Sequence, residues 1–245
     1  MIRGILYWVG GIIFTIPCAL YFYLMYPFFR RSPDLPHLII RFWSRILVKI
    51  FYGAGIEVIG KENIEPAKNY IIVSNHRSYT DILFANAAIP LQFRWLSKSS
   101  LFKIPVFGLA MKIAGYVPIE RTKYMSASRS LEKIKEVLNK EKSVWIFPEG
   151  TRTPQDEPGR FKRGAFLLAK ETEKPLLPVV MVNTDKIFLK PFIIRPVCVQ
   201  VIVLKPVYYS DFNKSQMSER VVMDQMSQHI RKIIRSNYNA YAARF

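Results

Sequence analysis

The chain has 245 residues, half of them hydrophobic and 14% aromatic, which is enough for one cored domain plus an appendage and too apolar for a disordered or low-complexity protein. Lys and Arg number 36 against 18 Asp and Glu, a net charge of +18. An anionic partner is therefore expected: nucleic acid, a negatively charged membrane or a phosphorylated substrate.

From Ile5 to Phe29 no side chain is charged. As a helix this run would reach about 37 Å, longer than the ~30 Å hydrocarbon core of a bilayer and longer than the apolar stretch of a signal peptide. Aromatic residues crowd its second half (Tyr21, Phe22, Tyr23, Tyr26), so it reads as a retained anchor. Arg3 precedes the run, whereas Arg30, Arg31, Arg41, Arg45 and Lys49 follow it, which places the rest of the chain on the cytoplasmic face. The run either spans the bilayer or dips into one leaflet as a helical hairpin. After a break at Ser32-Pro33-Asp34-Leu35-Pro36, residues 37–52 read as an amphipathic helix. Arg41, Arg45 and Lys49 form a basic stripe, with Leu38, Ile39, Phe42, Ile46 and Ile50 mostly on the other side. That is the pattern of a helix lying at an anionic membrane surface. Residues 1–54 are thus assigned to an anchoring segment and 55–245 to a second, cored domain.

In that domain short apolar runs read as buried strands: Ile56–Ile59, Tyr70–Ser74, Phe93–Leu96, Tyr116–Ile119, Val144–Phe147, Leu176–Val182 and Val197–Leu204. Helical patterns lie between them, the clearest from about Ser126 to Lys140, and a basic amphipathic helix runs from about Ser218 to Arg235. The alternation predicts an α/β fold, a mostly parallel central sheet flanked by helices, beside the amino-terminal membrane-associated hairpin. Cys18 and Cys198 are too few for a disulfide scaffold, and Cys18 in an apolar run fits a reducing compartment. Chemistry that needs imidazole has three candidates, His37, His76 and His229.

Two stretches follow strands directly and carry reactive groups. In Asn75-His76-Arg77-Ser78-Tyr79-Thr80-Asp81, one continuous helix would hold His76 and Asp81 apart, whereas Ser78 as helix N-cap and Asp81 as its capping-box partner would leave His76 in the preceding loop. From there the imidazole can fold back on the carboxylate, leaving its other nitrogen free to take a proton from a hydroxyl. By spacing alone, a capping Asp81 beside an incidental His76 explains the pattern equally well. In Phe147-Pro148-Glu149-Gly150-Thr151-Arg152-Thr153, Gly150 permits close backbone approach, Thr151 offers a hydroxyl and Arg152 a planar fork suited to phosphate. Strand ends are where α/β folds build their sites. Gly115-Tyr116-Val117-Pro118-Ile119-Glu120-Arg121 and Leu177-Pro178-Val179-Val180 are apolar strands that carry no clear signal singly.

Taken in order, Asn-His-x-x-x-x-Asp, Gly-x-x-x-Ile-x-Arg, Phe-Pro-Glu-Gly-Thr-Arg and the Pro-containing apolar block resemble the glycerolipid acyltransferase family, most nearly the 1-acyl-sn-glycerol-3-phosphate acyltransferases. The likeness covers about Gly55 to Lys205 and extends to Lys98-Ser99-Ser100-Leu101-Phe102-Lys103-Ile104-Pro105 and Phe161-Lys162-Arg163-Gly164-Ala165-Phe166. Thr153 stands where many members have Ser and keeps the hydroxyl. The resemblance implies His76 as general base and Asp81 as its orienting partner. It implies Arg121 and Arg152 on the acceptor phosphate, with Glu149, Gly150 and Thr151 lining the same pocket. Lys98 and Lys162 are weaker candidates for the phosphate or the acyl donor, with a solvated lysine as the alternative for each. An amino-terminal helical pair seated in the membrane also fits the family.

The expected reaction is acyl transfer from a thioester, acyl-CoA or acyl carrier protein, to the sn-2 hydroxyl of lysophosphatidate, with anionic membrane lipids as further partners. No cofactor or metal is expected, since there is neither a His-Glu-x-x-His nor a cysteine pair. The absence of Gly-x-Ser-x-Gly argues against a serine hydrolase. Another acceptor, such as lyso-ornithine lipid or a lysophospholipid with a head group, is the alternative within enzymes. A basic membrane-surface binding protein is the alternative outside them. Nucleic acid is not expected as a partner, because the basic residues are dispersed and no binding motif is present.

Overall fold

Among the strands, β1 (Gly55–Ile59), β2 (Ile71–Ser74), β3 (Phe93–Lys98), β4 (Val117–Ile119), β5 (Ser143–Ile146) and β6 (Leu176–Val182) pair with a late strand, β9 (Cys198–Val203). They form one seven-stranded sheet of order β1-β9-β6-β2-β5-β3-β4. A separate two-stranded hairpin, β7 (Phe188–Lys190) and β8 (Ile193–Ile194), precedes β9. The computed structural model describes residues 2–29, 32–51, 53–104, 107–120, 124–153, 158–190, 193–213 and 217–243. Every neighbouring pair in the large sheet is parallel except β6 with β9. The expected α/β fold with a mostly parallel sheet is what the chain adopts. Each predicted strand matches a strand of this sheet. Central parallel strands covered on both faces are apolar throughout, and β2 and β6 are buried along their whole length.

The helices are α1 (Ile2–Leu24), α2 (Tyr26–Phe29), α3 (Leu35–Ile46), α4 (Asp81–Ala88), α5 (Phe107–Ile113), α6 (Tyr124–Asn139), α7 (Gly164–Thr172) and α8 (Glu219–Ala242). Alternate residues of β2 and β6 face opposite sides. Ile71, Val73, Val180 and Val182 meet Ile134 of α6, Phe166 of α7 and Ile230 and Ile234 of α8. Tyr70, Ile72, Val179 and Met181 join Phe84 of α4 and Val48, just past α3.

The amino-terminal segment is a helical hairpin lying along this body. Trp43 of α3 donates to the Thr15 hydroxyl of α1 at 3.1 Å. Near its start α1 stacks Trp8 on Phe188, centroids 5.6 Å apart. Near its end the Tyr23 hydroxyl meets the backbone of Ala110 in α5. Among the described residues, no helix is long and apolar enough to cross a membrane. Arg30 and Arg31 lie outside the described residues.

The basic stripe of α3 requires a correction. Its buried face is His37, Arg41 and Ser44, while Leu38 and Phe42 are exposed. Arg41 donates to the Asn86 carbonyl and Arg45 to the Ala87 carbonyl, both in the last turn of α4. The last four carbonyls of a helix lack intrahelical partners and carry its negative dipole end, and two guanidinium groups answer both needs. Arg41 thus faces protein, while Arg45 stays exposed and shares the outward surface of α3 with Leu35, Leu38 and Phe42.

Candidate active site

The parallel strands deliver the predicted residues to one edge of the sheet, beyond their carboxyl ends, where open α/β folds place ligands. His76 follows β2, Glu149 follows β5 and Lys98 ends β3. Arg121 follows β4 and lies outside the described residues.

His76 sits in the loop before α4, and its Nδ1 is 2.7 Å from Asp81 Oδ2. Asp81 is the first residue of α4 and is wholly buried. The same Oδ2 accepts the backbone N–H groups of Arg77 (2.8 Å) and Ser78 (3.0 Å). Half of the expected capping box is therefore present. The Ser78 hydroxyl instead accepts the N–H of Thr80, and that residue, not Ser78, stands at the helix boundary. A carboxylate at a helix amino terminus is favoured by the dipole, and here it also fixes the loop that carries the imidazole. The His76 ring stacks on Phe147, centroids 3.8 Å apart at 11°, and Phe147 in turn stacks on Trp95. The imidazole is held by a carboxylate at one edge and an aromatic face on one side, and it is partly exposed, with 17% of the side chain accessible.

Glu149 joins the two motifs. It is buried, with Oε1 accepting the His76 N–H at 3.0 Å and Oε2 accepting the Gly159 N–H at 2.9 Å and the Thr153 hydroxyl. Thr153 N–H closes the link by donating to the His76 carbonyl at 2.9 Å. Both carboxylate oxygens thus meet protein donors. Asn75 secures the other flank, exchanging hydrogen bonds of 2.8 and 2.9 Å with the Met181 backbone of β6.

Gly150 turns through a left-handed conformation, φ +78°. A Cβ there would come 2.9 Å from the Lys162 Nζ, so the turn and that ammonium approach closely. Thr151 and Arg152 are exposed beside it. Arg152 lies 3.3 Å over the Tyr79 ring centroid and donates to its hydroxyl at 2.6 Å.

A family model described as Acyltransferase matches residues 55–182, more than half of the chain and every strand that carries these groups. The chain belongs to the acyltransferase family. Among its relatives are the chloroplastic 1-acyl-sn-glycerol-3-phosphate acyltransferase BAT2 of Brassica napus, 35% identical over 77% of this chain and 54% of the relative, and the 1-acyl-sn-glycerol-3-phosphate acyltransferase of Saccharomyces cerevisiae, 32% identical over 76% and 63%. The alpha enzyme of that name from Homo sapiens is 33% identical over 58% of this chain and 50% of its own. The chain therefore spans about half to three-fifths of the length of these relatives. The crystal structure of the 1-acyl-sn-glycerophosphate (LPA) acyltransferase, PlsC, from Thermotoga maritima shares the fold, with a TM-score of 0.73 at 21% identity, covering 96% of this chain and 99% of that one.

His76 contacts both Asp81 and Glu149, Gly150 and Lys162 adjoin, and Arg152 returns to the His76 loop through Tyr79. Lys98 is exposed on β3, separated from β2 by β5. Tyr79 and Phe147 lie inside the motifs but received no role from the sequence. Their contacts cross from one loop to another, and local spacing carries no record of such contacts. Tyr79 did leave one sign, a large aromatic residue among polar neighbours before a helix.

Proposed function

We propose that this acyltransferase moves an acyl group from a thioester, acyl-CoA or acyl carrier protein, to the sn-2 hydroxyl of 1-acyl-sn-glycerol-3-phosphate. The observation that carries the reading is the 2.7 Å bond between His76 Nδ1 and the buried Asp81. A carboxylate there holds Nδ1 as N–H, so Nε2 presents a lone pair and acts as general base. The acceptor hydroxyl gives its proton to Nε2 as its oxygen attacks the thioester carbonyl. The C–S bond then breaks, and the departing sulfur takes the proton back from the imidazolium. Asp81 stabilises that cation while it exists. No acyl-enzyme is required, because holding both substrates in one site supplies much of the rate.

Arg152, and with it Arg121, takes the acceptor phosphate, and Gly150, Thr151 and Lys162 line the same region. The names of the relatives support this acceptor. Glu149 acts as a positioning residue, since its oxygens hold the two loops together. The exposed apolar side chains of α1 and α3 seat the chain on a lipid surface at the cytoplasmic face, where acceptor and product reside, and the net positive charge favours anionic lipid.

The test uses the full chain, wild type and His76→Ala, given lysophosphatidate with labelled acyl-CoA and, separately, with acylated carrier protein. Phosphatidate from the wild type alone, at equal protein level, is the expected result and names the donor. Equal product from both variants would defeat the general-base role. Product from neither, beside a working control enzyme, would remove this acceptor and direct attention to other lyso-lipids.

A further inference from the structure

The proposed reaction joins two anionic substrates, and the loop carrying Arg152 accounts for one of them. A second cationic feature lies on α8. A groove of about 340 Å³ is lined there by Gln228, Arg231, Lys232, Arg235, Ser236 and Asn239. Every lining side chain can donate a hydrogen bond, three are cations, and none is acidic. One turn before the groove, the Asp224 carboxylate is paired with the Arg163 guanidinium through bonds of 2.9 and 2.8 Å. Arg163, together with Arg220 and Arg160, holds Asp224 below the usual carboxylate range. Because its charge is taken up by the pair with Arg163, that acid does little to neutralise the groove beside it.

The groove is tied to the His76 loop through Arg231, and its helix meets that loop again at the buried Tyr238. Arg231 donates to the Pro158 carbonyl at 3.0 Å, and the next residue, Gly159, donates to Glu149, which holds the His76 backbone. Toward the end of α8, the Tyr238 ring lies under the Arg77 guanidinium at 4.7 Å, and Arg77 is the neighbour of His76. The span from Gln228 to Asn239 is about 16 Å along the helix.

We infer that the α8 groove binds the phosphate groups of a nucleotide-bearing thioester donor, so that its acyl arm is led toward His76. The inference rests on the thioester reading above and names the donor class within it. Several donors on one face suit a polyphosphate better than a single carboxylate, since each phosphate offers several acceptor oxygens. Guanidinium groups match them in pairs.

Coenzyme A binding to the full chain, read by calorimetry, tests the groove without requiring turnover. Lys232→Gln combined with Arg235→Gln is expected to weaken coenzyme A binding by about tenfold, the sum of two partly screened cations. The KM for acyl-CoA should rise in parallel, with kcat and the KM for lysophosphatidate unchanged. Lys232→Arg, which keeps the charge, should bind as the wild type does, separating charge from fold. His76→Ala should bind coenzyme A normally while failing to turn over. Unchanged coenzyme A affinity in the double variant overturns the inference. So does a defect confined to acylated carrier protein, which would make the groove a protein-docking face, or an equal rise in both KM values. A wild type that binds coenzyme A yet leaves lysophosphatidate unacylated would defeat the acceptor reading and leave the groove standing.

Discussion

The guanidinium of Arg152 sits over the ring of Tyr79, 3.3 Å from its centroid, and donates to its hydroxyl at 2.6 Å. Both residues are exposed, so the contact is not enforced by packing. The ring covers one side of the guanidinium, and in the proposed role the remaining N–H groups would meet the phosphate. An exposed cation–π contact contributes about 0.5–1 kcal/mol. Tyr79→Ala should accordingly raise the KM for lysophosphatidate about three- to fivefold, with kcat nearly constant. Tyr79→Phe keeps the stack and should fall between. Arg152→Ala should weaken lysophosphatidate far more than an uncharged monoacylglycerol acceptor. Equal losses on both acceptors would remove the phosphate role.

Asp81→Asn separates orientation from fold. The amide keeps one oxygen for the Arg77 and Ser78 N–H groups but no longer stabilises an imidazolium. Steady-state kinetics should show kcat lowered about a thousandfold with KM little changed, in the range lost when a general base is misoriented. A loss below tenfold would mean that Asp81 serves the loop alone.

Glu149→Gln discriminates between a residue that lines the phosphate pocket and one that joins two loops. Both oxygens now face donors, and an amide nitrogen in one position would oppose a donor with a donor. The expected result is a lower melting temperature, from a loss of about 1–3 kcal/mol, together with a reduced kcat. A change confined to the KM for lysophosphatidate, with stability intact, would return Glu149 to the pocket.

Phe42 is 62% exposed and Ile50 59% exposed. Burying each in lipid contributes about 1.5–3 kcal/mol. Phe42→Ser with Ile50→Ser should release the chain from vesicles of mixed phosphatidylglycerol and phosphatidylethanolamine in a sedimentation assay, without lowering its melting temperature. Retention on the vesicles would show that another surface meets the lipid.

His37 supplies a pH dependence away from the reaction centre. It is fully buried, and burial, with Arg94 and Arg41 nearby, lowers its pKa from 6.5 to about 3. Between those values the unfolded chain binds more protons than the folded one, so stability is present in full above pH 6.5 and falls as pH drops toward 3. The slope from this group is at most about 1.4 kcal/mol per pH unit. His37→Leu should flatten that part of a melting-temperature profile. An unchanged slope would assign the acid sensitivity elsewhere.

Much of the sheet was legible because buried parallel strands leave uninterrupted apolar runs such as Leu176–Val182. The two-residue strand Ile193–Ile194 is too short to leave such a run. The His76–Asp81 pair was legible as a spacing, and what decided it was the loop geometry that brings Nδ1 to the carboxylate. The direction of α3 was not legible. Periodicity separates Arg41 from Phe42, but which face turns inward depends on the carbonyls of Asn86 and Ala87, some 45 residues away in the chain. The way Glu149 joins the two loops was not legible, because its backbone donors have no sequence signature.

The bend of the amino-terminal hairpin is riveted to the sheet. Asp34, just before α3, bonds Arg94 of β3 at 3.1 Å and Lys142, next to β5, at 2.5 Å. These bonds tie the hairpin to β3 and to the start of β5, two of the strands beside His76 and Glu149. Under the proposed seating on lipid, the elevation of His76 above that surface would be a built-in dimension of the molecule, as a fixed keel sets a hull's draught, and a lipid acceptor would have to travel that distance itself.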